Sequence, residues 1–181
     1  MAVDDQERWD ARHRAAGVGT PQPPDALRPH TGLLPATGRA LDVACGRGSV
    51  AAWLAAQGLD VVAVDVSPAG LAAGAALVAA EQPPGRVRWV QADLDHGFPA
   101  DDDVYDVVVC QRFRAPALYP ALAAAVAPGG LLVVTVLSEV GDTGGQYRAA
   151  PGELPAAFGE LEVVAHHEGG GEAHLVVRRP A

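Results

Sequence analysis

The sequence predicts an α/β protein whose mostly parallel sheet is sandwiched by helices. Three observations lead there. From Ala40 onward, apolar runs of strand length alternate with helical patterns. The early runs are apolar throughout instead of alternating, as in strands covered on both faces. The first run passes through Cys45-Gly46-Arg47-Gly48 straight into a helical stretch. Strand, glycine loop and helix together open a nucleotide-type βαβ unit.

Taken in order, Gln6 to Ala16 reads as a short helix anchored by Trp9, broken by the glycines and prolines of residues 17–24. A second short helix is expected over Asp25 to Leu34, ended by Pro35. Ala40 to Ala44 is the first strand, and Ser49 to Ala56 the helix after the glycine loop. Val61 to Val64 is the second strand, ending at Asp65. Ser67 is placed to cap the next helix and Pro68 to occupy its first turn, with the helix reaching about Glu81. Arg86 to Gln91 and Val104 to Cys110 read as strands three and four. The acidic stretch between them, Ala92 to Asp103, is too short for a full crossover helix. Pro116 to Val126 is helical, and Pro128-Gly129-Gly130 turns the chain into a fifth strand, Leu131 to Leu137. After a short helix over Pro151 to Phe158, Leu161 to His166 and Ala173 to Arg178 pair as a hairpin, so the last strand is antiparallel.

At 181 residues the chain predicts one domain with a full core. Its 13 basic residues are all arginine, scattered, and outweighed to a net charge of −9. A nucleic-acid partner needs a basic surface, so a small molecule is expected instead. The acidic N-terminus has no apolar signal region, and Leu131 to Leu137 is too short to span a bilayer. Cys45 and Cys110 both sit in apolar, strand-like surroundings and read as reduced, buried thiols. Neither they nor the six histidines have metal-ligand spacing. A cytoplasmic enzyme without membrane or metal follows from these features.

Gly46 and Gly48 let a ligand approach the backbone, and the helix start behind them favours an anionic group. Asp65 lies nineteen positions after Gly46, where a carboxylate can accept from both hydroxyls of a ribose. A nicotinamide-dependent oxidoreductase shares these two features. Asp42 separates the readings, because an acid inside the first strand would repel a pyrophosphate. Asp93, a third acid at a strand end, suits an adenine amino group.

With these motifs in place, the chain resembles the class I S-adenosylmethionine-dependent methyltransferases. LDVACGRG is similar to the family's glycine motif and VVAVDVSP to its ribose-binding strand. VQADLD is similar to its adenine-side motif, and VAPGGLLVVT to the segment entering its fifth strand. RWDARHR and the C-terminal tail look like a compact bacterial subgroup similar to tellurite-resistance-type methyltransferases. The resemblance implies a Rossmann-like three-layer sandwich with a seven-stranded sheet, order 3-2-1-4-5-7-6, and an antiparallel last strand. It also implies a single domain over 1–181: a helical cap over 1–35, a cofactor-binding core over 39–137, and a helix and hairpin over 151–181.

S-adenosyl-L-methionine is the cofactor so implied. Asp42, Ala44, Cys45, Gly46 and Gly48 would face its methionine moiety, and Asp65 with Val66 its ribose and adenine. Asp93 with Leu94 would read the adenine edge, Cys110 and Gln111 would close the far side, and Arg12 would reach the carboxylate or remain a solvated helix arginine. The sequence places no general base; His13 and Arg112 are the candidates for a catalytic part. Arg112 and Arg114 follow the fourth strand, where they either favour an anionic acceptor or form ion pairs. Tyr147 and Arg148 sit in a loop able to cover an acceptor, and Trp9, Trp53 and Trp89 read as packing residues. The expected reaction is in-line methyl transfer to a small molecule, with a nicotinamide oxidoreductase or a non-catalytic S-adenosylmethionine-binding domain as alternatives.

Overall fold

A computed structural model describes residues 3–17, 19–97, 103–142, 145 and 147–181, except for the side chains of residues 3–5 and 96. Part of the acidic stretch before the fourth strand, including Asp101 and Asp102, lies outside the described residues. The chain runs α1 (Val3–Ala15), β1 (Gly38–Val43), α2 (Ser49–Ala56), β2 (Leu59–Asp65), α3 (Pro68–Glu81), β3 (Val87–Gln91), β4 (Tyr105–Gln111), α4 (Tyr119–Ala124), β5 (Val126–Leu137), α5 (Glu153–Ala157), β6 (Glu162–Gly169) and β7 (Glu172–Arg178). The seven strands form one sheet, order β3-β2-β1-β4-β5-β7-β6, as the resemblance implied. Its tertiary contacts divide the chain into two units, residues 1–23 with 35–101 and residues 24–34 with 102–181.

In the first unit, β1, β2 and β3 are parallel. Ala40, Leu41, Val43, Val61 and Val64 are all essentially inaccessible, so the continuous apolar pattern does mark strands covered on both faces. β3 is the partly exposed end strand. The Ser67 hydroxyl accepts from the Gly70 N–H and Pro68 opens α3, as read from the sequence. Between Gln91 and the end of this unit's described residues, only a 3-10 turn forms, at Leu94–His96.

In the second unit, β4 and β5 are parallel and β7 runs antiparallel to both β5 and β6. The hairpin reverses through Gly170-Gly171, both left-handed (φ 60° and 85°), which suits a two-residue turn matched to strand twist. Two details differ from expectation. Residues 25–33 form a 3-10 helix with a kink at His30, not a regular α-helix, because Pro29 removes a backbone donor inside it. Pro128-Gly129-Gly130 does not precede β5 but lies within it, as an irregularity where pairing shifts from Tyr105↔Val126 to Val107↔Leu131. Gly129 turns left-handed there (φ 76°), and a Cβ on Gly130 would come within 3.0 Å of the Asp106 carbonyl.

Candidate cofactor site

The site in the first unit is built where β1 gives way to α2. Asp42 pairs with Ala63 near the end of β1 and is 1 % exposed. One N–H of the first turn of α2, that of Ala51, reaches its carboxyl, while Oδ2 has no hydrogen-bond partner. A buried carboxylate without water or a cation is costly, so burial, reinforced by Asp65, pushes the Asp42 carboxyl up to about 8. The ligand-free protein therefore keeps Asp42 protonated at neutral pH. Such a position favours a group that brings positive charge.

After β1 the chain turns through Ala44, Gly46 and Gly48, all left-handed (φ 56°, 54° and 69°). Glycine accepts this conformation freely and alanine does not. Ala44→Gly is therefore expected to raise stability by about 0.5–1 kcal/mol, measured as an upward shift of the urea midpoint. Asp65 fastens the loop from β2. Its Oδ2 accepts the Gly46 N–H at 2.7 Å and its Oδ1 the Ser67 N–H at 2.9 Å. Asp65 thus shapes the loop. Burial, with the nearby acids, pushes the Cys45 thiol far up, which makes it an inert packing group at this bend.

Two glycines of α3, Gly70 and Gly74, explain how the loop fits so closely. A Cβ on Gly70 would stand 2.6 Å from the Gly46 carbonyl oxygen, and one on Gly74 would stand 2.5 Å from the Trp89 ring. Trp89 also fills the space beside Gly48. The sequence reading had Trp89 as packing but gave Gly70 and Gly74 no part. Their spacing was the available signal: two glycines one turn apart inside an otherwise Ala- and Leu-rich helix run against helix propensity.

α1 packs against α3 beside this loop. The Asp10 carboxylate accepts from the Ser67 hydroxyl and from the Ala69 N–H at 3.1 Å. The Ser67 bond, then the Ala69 bond and Arg14, hold its carboxyl below the usual range against burial. Stability from a lowered carboxyl is present above its unfolded value and lost as pH falls through the folded one. Acidification below about pH 4 is therefore expected to speed amide exchange in α1, and Asp10→Asn should do so already at neutral pH.

His13, three residues on, stacks with Trp9 at 5.8 Å and stands where a Gly46 Cβ would be 3.4 Å from its ring. Burial holds its imidazole below the usual range, with Asp65 opposing and Arg47 and Arg12 adding to the effect. Arg12 is exposed, its guanidinium 5.2 Å from the Trp9 ring centre.

Asp93 stands two residues past Gln91, which pairs with Asp65. Its Oδ1 accepts the Asp95 N–H at 3.0 Å, capping the 3-10 turn. Val66 and Leu94 are buried. The carboxylates of Asp42, Asp65 and Asp93 thus lie toward the carboxyl ends of three adjacent parallel strands, where α/β sheets bind ligands.

In the second unit, Cys110 and Gln111 end β4. Cys110 is buried, and both cysteines are free thiols. Arg112 follows in the left-handed region (φ 55°) and pairs with Glu172 at 2.7 Å. Arg114 grips Glu153 with two bonds of 2.8 and 2.6 Å, and the Tyr119 hydroxyl donates to the same carboxylate. Of the two readings left open for these arginines, both form ion pairs. Arg148 anchors its loop through the Ser138 and Gly171 carbonyls and Asp142, whereas Tyr147 is exposed. Among the described residues no group of three or more acids, histidines or cysteines can hold a metal ion, and no helix is long and apolar enough to cross a membrane.

Residues 40–130 match the family described as a methyltransferase domain. A demethylmenaquinone methyltransferase of Clavibacter sepedonicus is 36% identical over 105 residues, 55% of this chain and 41% of that protein. The chain therefore spans about two fifths of that curated relative. Among solved structures, TehB from Haemophilus influenzae superposes with a TM-score of 0.72 at 18% identity, covering 86% of this chain and 61% of that one. An S-adenosylmethionine-dependent methyltransferase from Mesorhizobium loti gives a TM-score of 0.67 at 17% identity, covering 85% and 98%. The buried acid before a left-handed glycine bend, the strand order and the matched residues agree, and the chain belongs to the class I methyltransferase domain family, whose cofactor is S-adenosyl-L-methionine.

Proposed function

We propose that the protein is a cytoplasmic, single-domain methyltransferase that moves a methyl group from S-adenosylmethionine to a small molecule. The observation that carries this is Asp42: a carboxyl buried at the glycine bend, with one oxygen unpartnered, fits a cationic ligand group and not a pyrophosphate. The nicotinamide alternative fares worse on that ground. The net charge of −9 and the scattered arginines support a small acceptor over a polymer. So does the curated relative, which is named for demethylmenaquinone.

In this reading Asp42 ionises against the cationic methionine end, beside the backbone of Ala44, Cys45, Gly46 and Gly48. Each oxygen of Asp65 accepts one backbone N–H and keeps further lone-pair capacity for a ribose hydroxyl. Val66 and Leu94 wall the adenine, and Asp93 takes its amino edge. Cys110, Gln111 and Arg12 complete the cofactor set. When bound, S-adenosylmethionine supplies an electrophilic methyl group on sulfur, open to in-line displacement. The protein's own part is to hold the acceptor in line with it, which is worth up to about 7–11 kcal/mol in favourable systems. His13, kept neutral by burial, can receive a proton, while Arg112 serves the acceptor side.

The test is transfer of label from methyl-labelled S-adenosylmethionine to a panel of small hydroxylated, aminated and thiol compounds. Label is expected on at least one acceptor with the intact protein and on none with Asp42→Asn. Label unmoved by the intact protein while the cofactor binds would leave a binding domain, not an enzyme.

A further inference from the structure

A cavity of about 270 Å³ lies wholly within the second unit, between the 3-10 helix at residues 25–33 and the face of β6 and β7. Four histidines line it: His30 from the helix, His166 and His167 from β6, and His174 from β7. His166 pairs with Leu175, so its side chain lies on the other side of the hairpin from those of His167 and His174. The pairing places this chemistry. His167 faces His174, and Ala165 faces Val176, so these four side chains share one side of the hairpin. The His167 and His174 rings stack with centres 6.1 Å apart and planes inclined by 20°. His174 is fixed on both nitrogens, Nδ1 being 3.1 Å from the Thr135 hydroxyl and Nε2 3.4 Å from Glu172. Glu172 is in turn held by Arg112. Among the described residues, the ring nitrogens of His30, His166 and His167 have no hydrogen-bond partner.

The remaining wall is apolar, from Ala26, Pro29, Ala165 and Val176. Among the described residues no arginine lines the cavity, and the one lining carboxylate, Asp25, is paired with Arg28 at 2.9 Å. Asp25 and the nearby Glu172 disfavour a permanent anion. Imidazole rings beside an apolar wall instead suit a ligand with a flat apolar body and one hydroxyl, which donates a hydrogen bond to a ring nitrogen. The volume is slightly under the usual range for ligand pockets, about 300–1,000 Å³, which limits the body to one small ring system.

We propose that this histidine-lined cavity is a binding site for a small planar phenol or enol, with a His167 ring nitrogen accepting a hydrogen bond from its hydroxyl and the fixed His174 ring as the stacking platform. The proposal stands apart from methyl transfer, since it concerns binding alone. The probe is 4-nitrophenol, titrated with the full-length protein and followed by its absorbance. Expected is saturable binding. Expected also is affinity at least about tenfold above that of 4-nitroanisole, which has the same ring and no proton to give.

His167→Phe keeps a stacking ring without nitrogens, and Ala165→Phe fills the cavity; each is expected to lose binding at least about tenfold at an unchanged unfolding midpoint. Equal binding of the two probes overturns the proposal, as does an absence of saturable binding. So does retained binding in either variant, or a preference for the permanent anion 4-nitrobenzoate. The two-probe comparison on the wild-type protein decides the matter even where a variant does not fold. Calorimetry with S-adenosylmethionine on the same sample reads the cofactor site separately, so failure of one reading leaves the other standing.

Discussion

Asp42→Asn is expected to stabilise the ligand-free protein while destroying cofactor binding. The folded chain holds the Asp42 carboxyl at about 8, against an ordinary value of 3.8. Between these values the unfolded chain has lost the proton and the folded chain keeps it. Stability from this group is therefore full below about pH 4 and declines as pH rises toward 8. At 1.36 kcal/mol per pH unit the loss by neutral pH is about 4 kcal/mol, part of which the asparagine returns as its own unsatisfied amide. The variant's melting temperature should exceed that of the wild type by roughly 5–10 °C at pH 8 and match it near pH 4. Differential scanning calorimetry across that range measures both ends. The same variant should bind S-adenosylmethionine at least about 100-fold more weakly, because the ligand's positive charge then has no buried partner. A variant less stable at pH 8 and unchanged in affinity would show that the acid is an ordinary core residue.

The second large effect concerns Gly74. On an exposed helix, Gly→Ala gains about 1 kcal/mol. Here Gly74→Ala should lose at least about 2–3 kcal/mol, because the new Cβ would stand 2.5 Å from the Trp89 ring and 3.2 Å from the Arg47 carbonyl oxygen. Trp89 also fills the space beside Gly48, so its displacement should loosen the glycine bend and lower cofactor affinity with it. Trp89→Leu, combined with Gly74→Ala, removes the clashing ring and should recover more than half of the lost stability. Urea unfolding of the two single variants and the double variant closes the cycle. Additive losses would mean that the ring and the helix glycine do not meet.

Much of the architecture was legible because strand and helix patterns change sharply at glycine and proline. α2 and α3 begin where Ser49 and the Ser67-Pro68 pair place them. The Gly-rich turn specified the terminal hairpin. The less regular segments were harder to read. Pro29 converts the second helix to a 3-10 form, and the proline-glycine turn is absorbed into β5 through a local mismatch in pairing. Neither depends on hydrophobic period.

The candidate site divides in the same way. Asp42 announced itself as a charge inside an apolar run, and Asp65 and Asp93 as charges at strand ends. What no pattern displayed was the use of Asp65 by the Gly46 and Ser67 amides, or the anchoring of α1 through Asp10. The Ser67 amide contact is local, but the Gly46 and Asp10 contacts join residues 19 and 57 positions apart, and only folding brings such partners together. Arg112 and Arg114 show the limit most clearly, since their pairing with Glu172 and Glu153 depends on segments 60 and 39 residues away.

The most direct measurement is calorimetric titration of S-adenosylmethionine at pH 7 in two buffers of different ionisation enthalpy. Binding in the micromolar range is expected, with release of about one proton as Asp42 ionises beside the cation, and with no release in Asp42→Asn. Binding without proton release, equal binding by Asp42→Asn, or heat from NADH and none from S-adenosylmethionine would contradict the account.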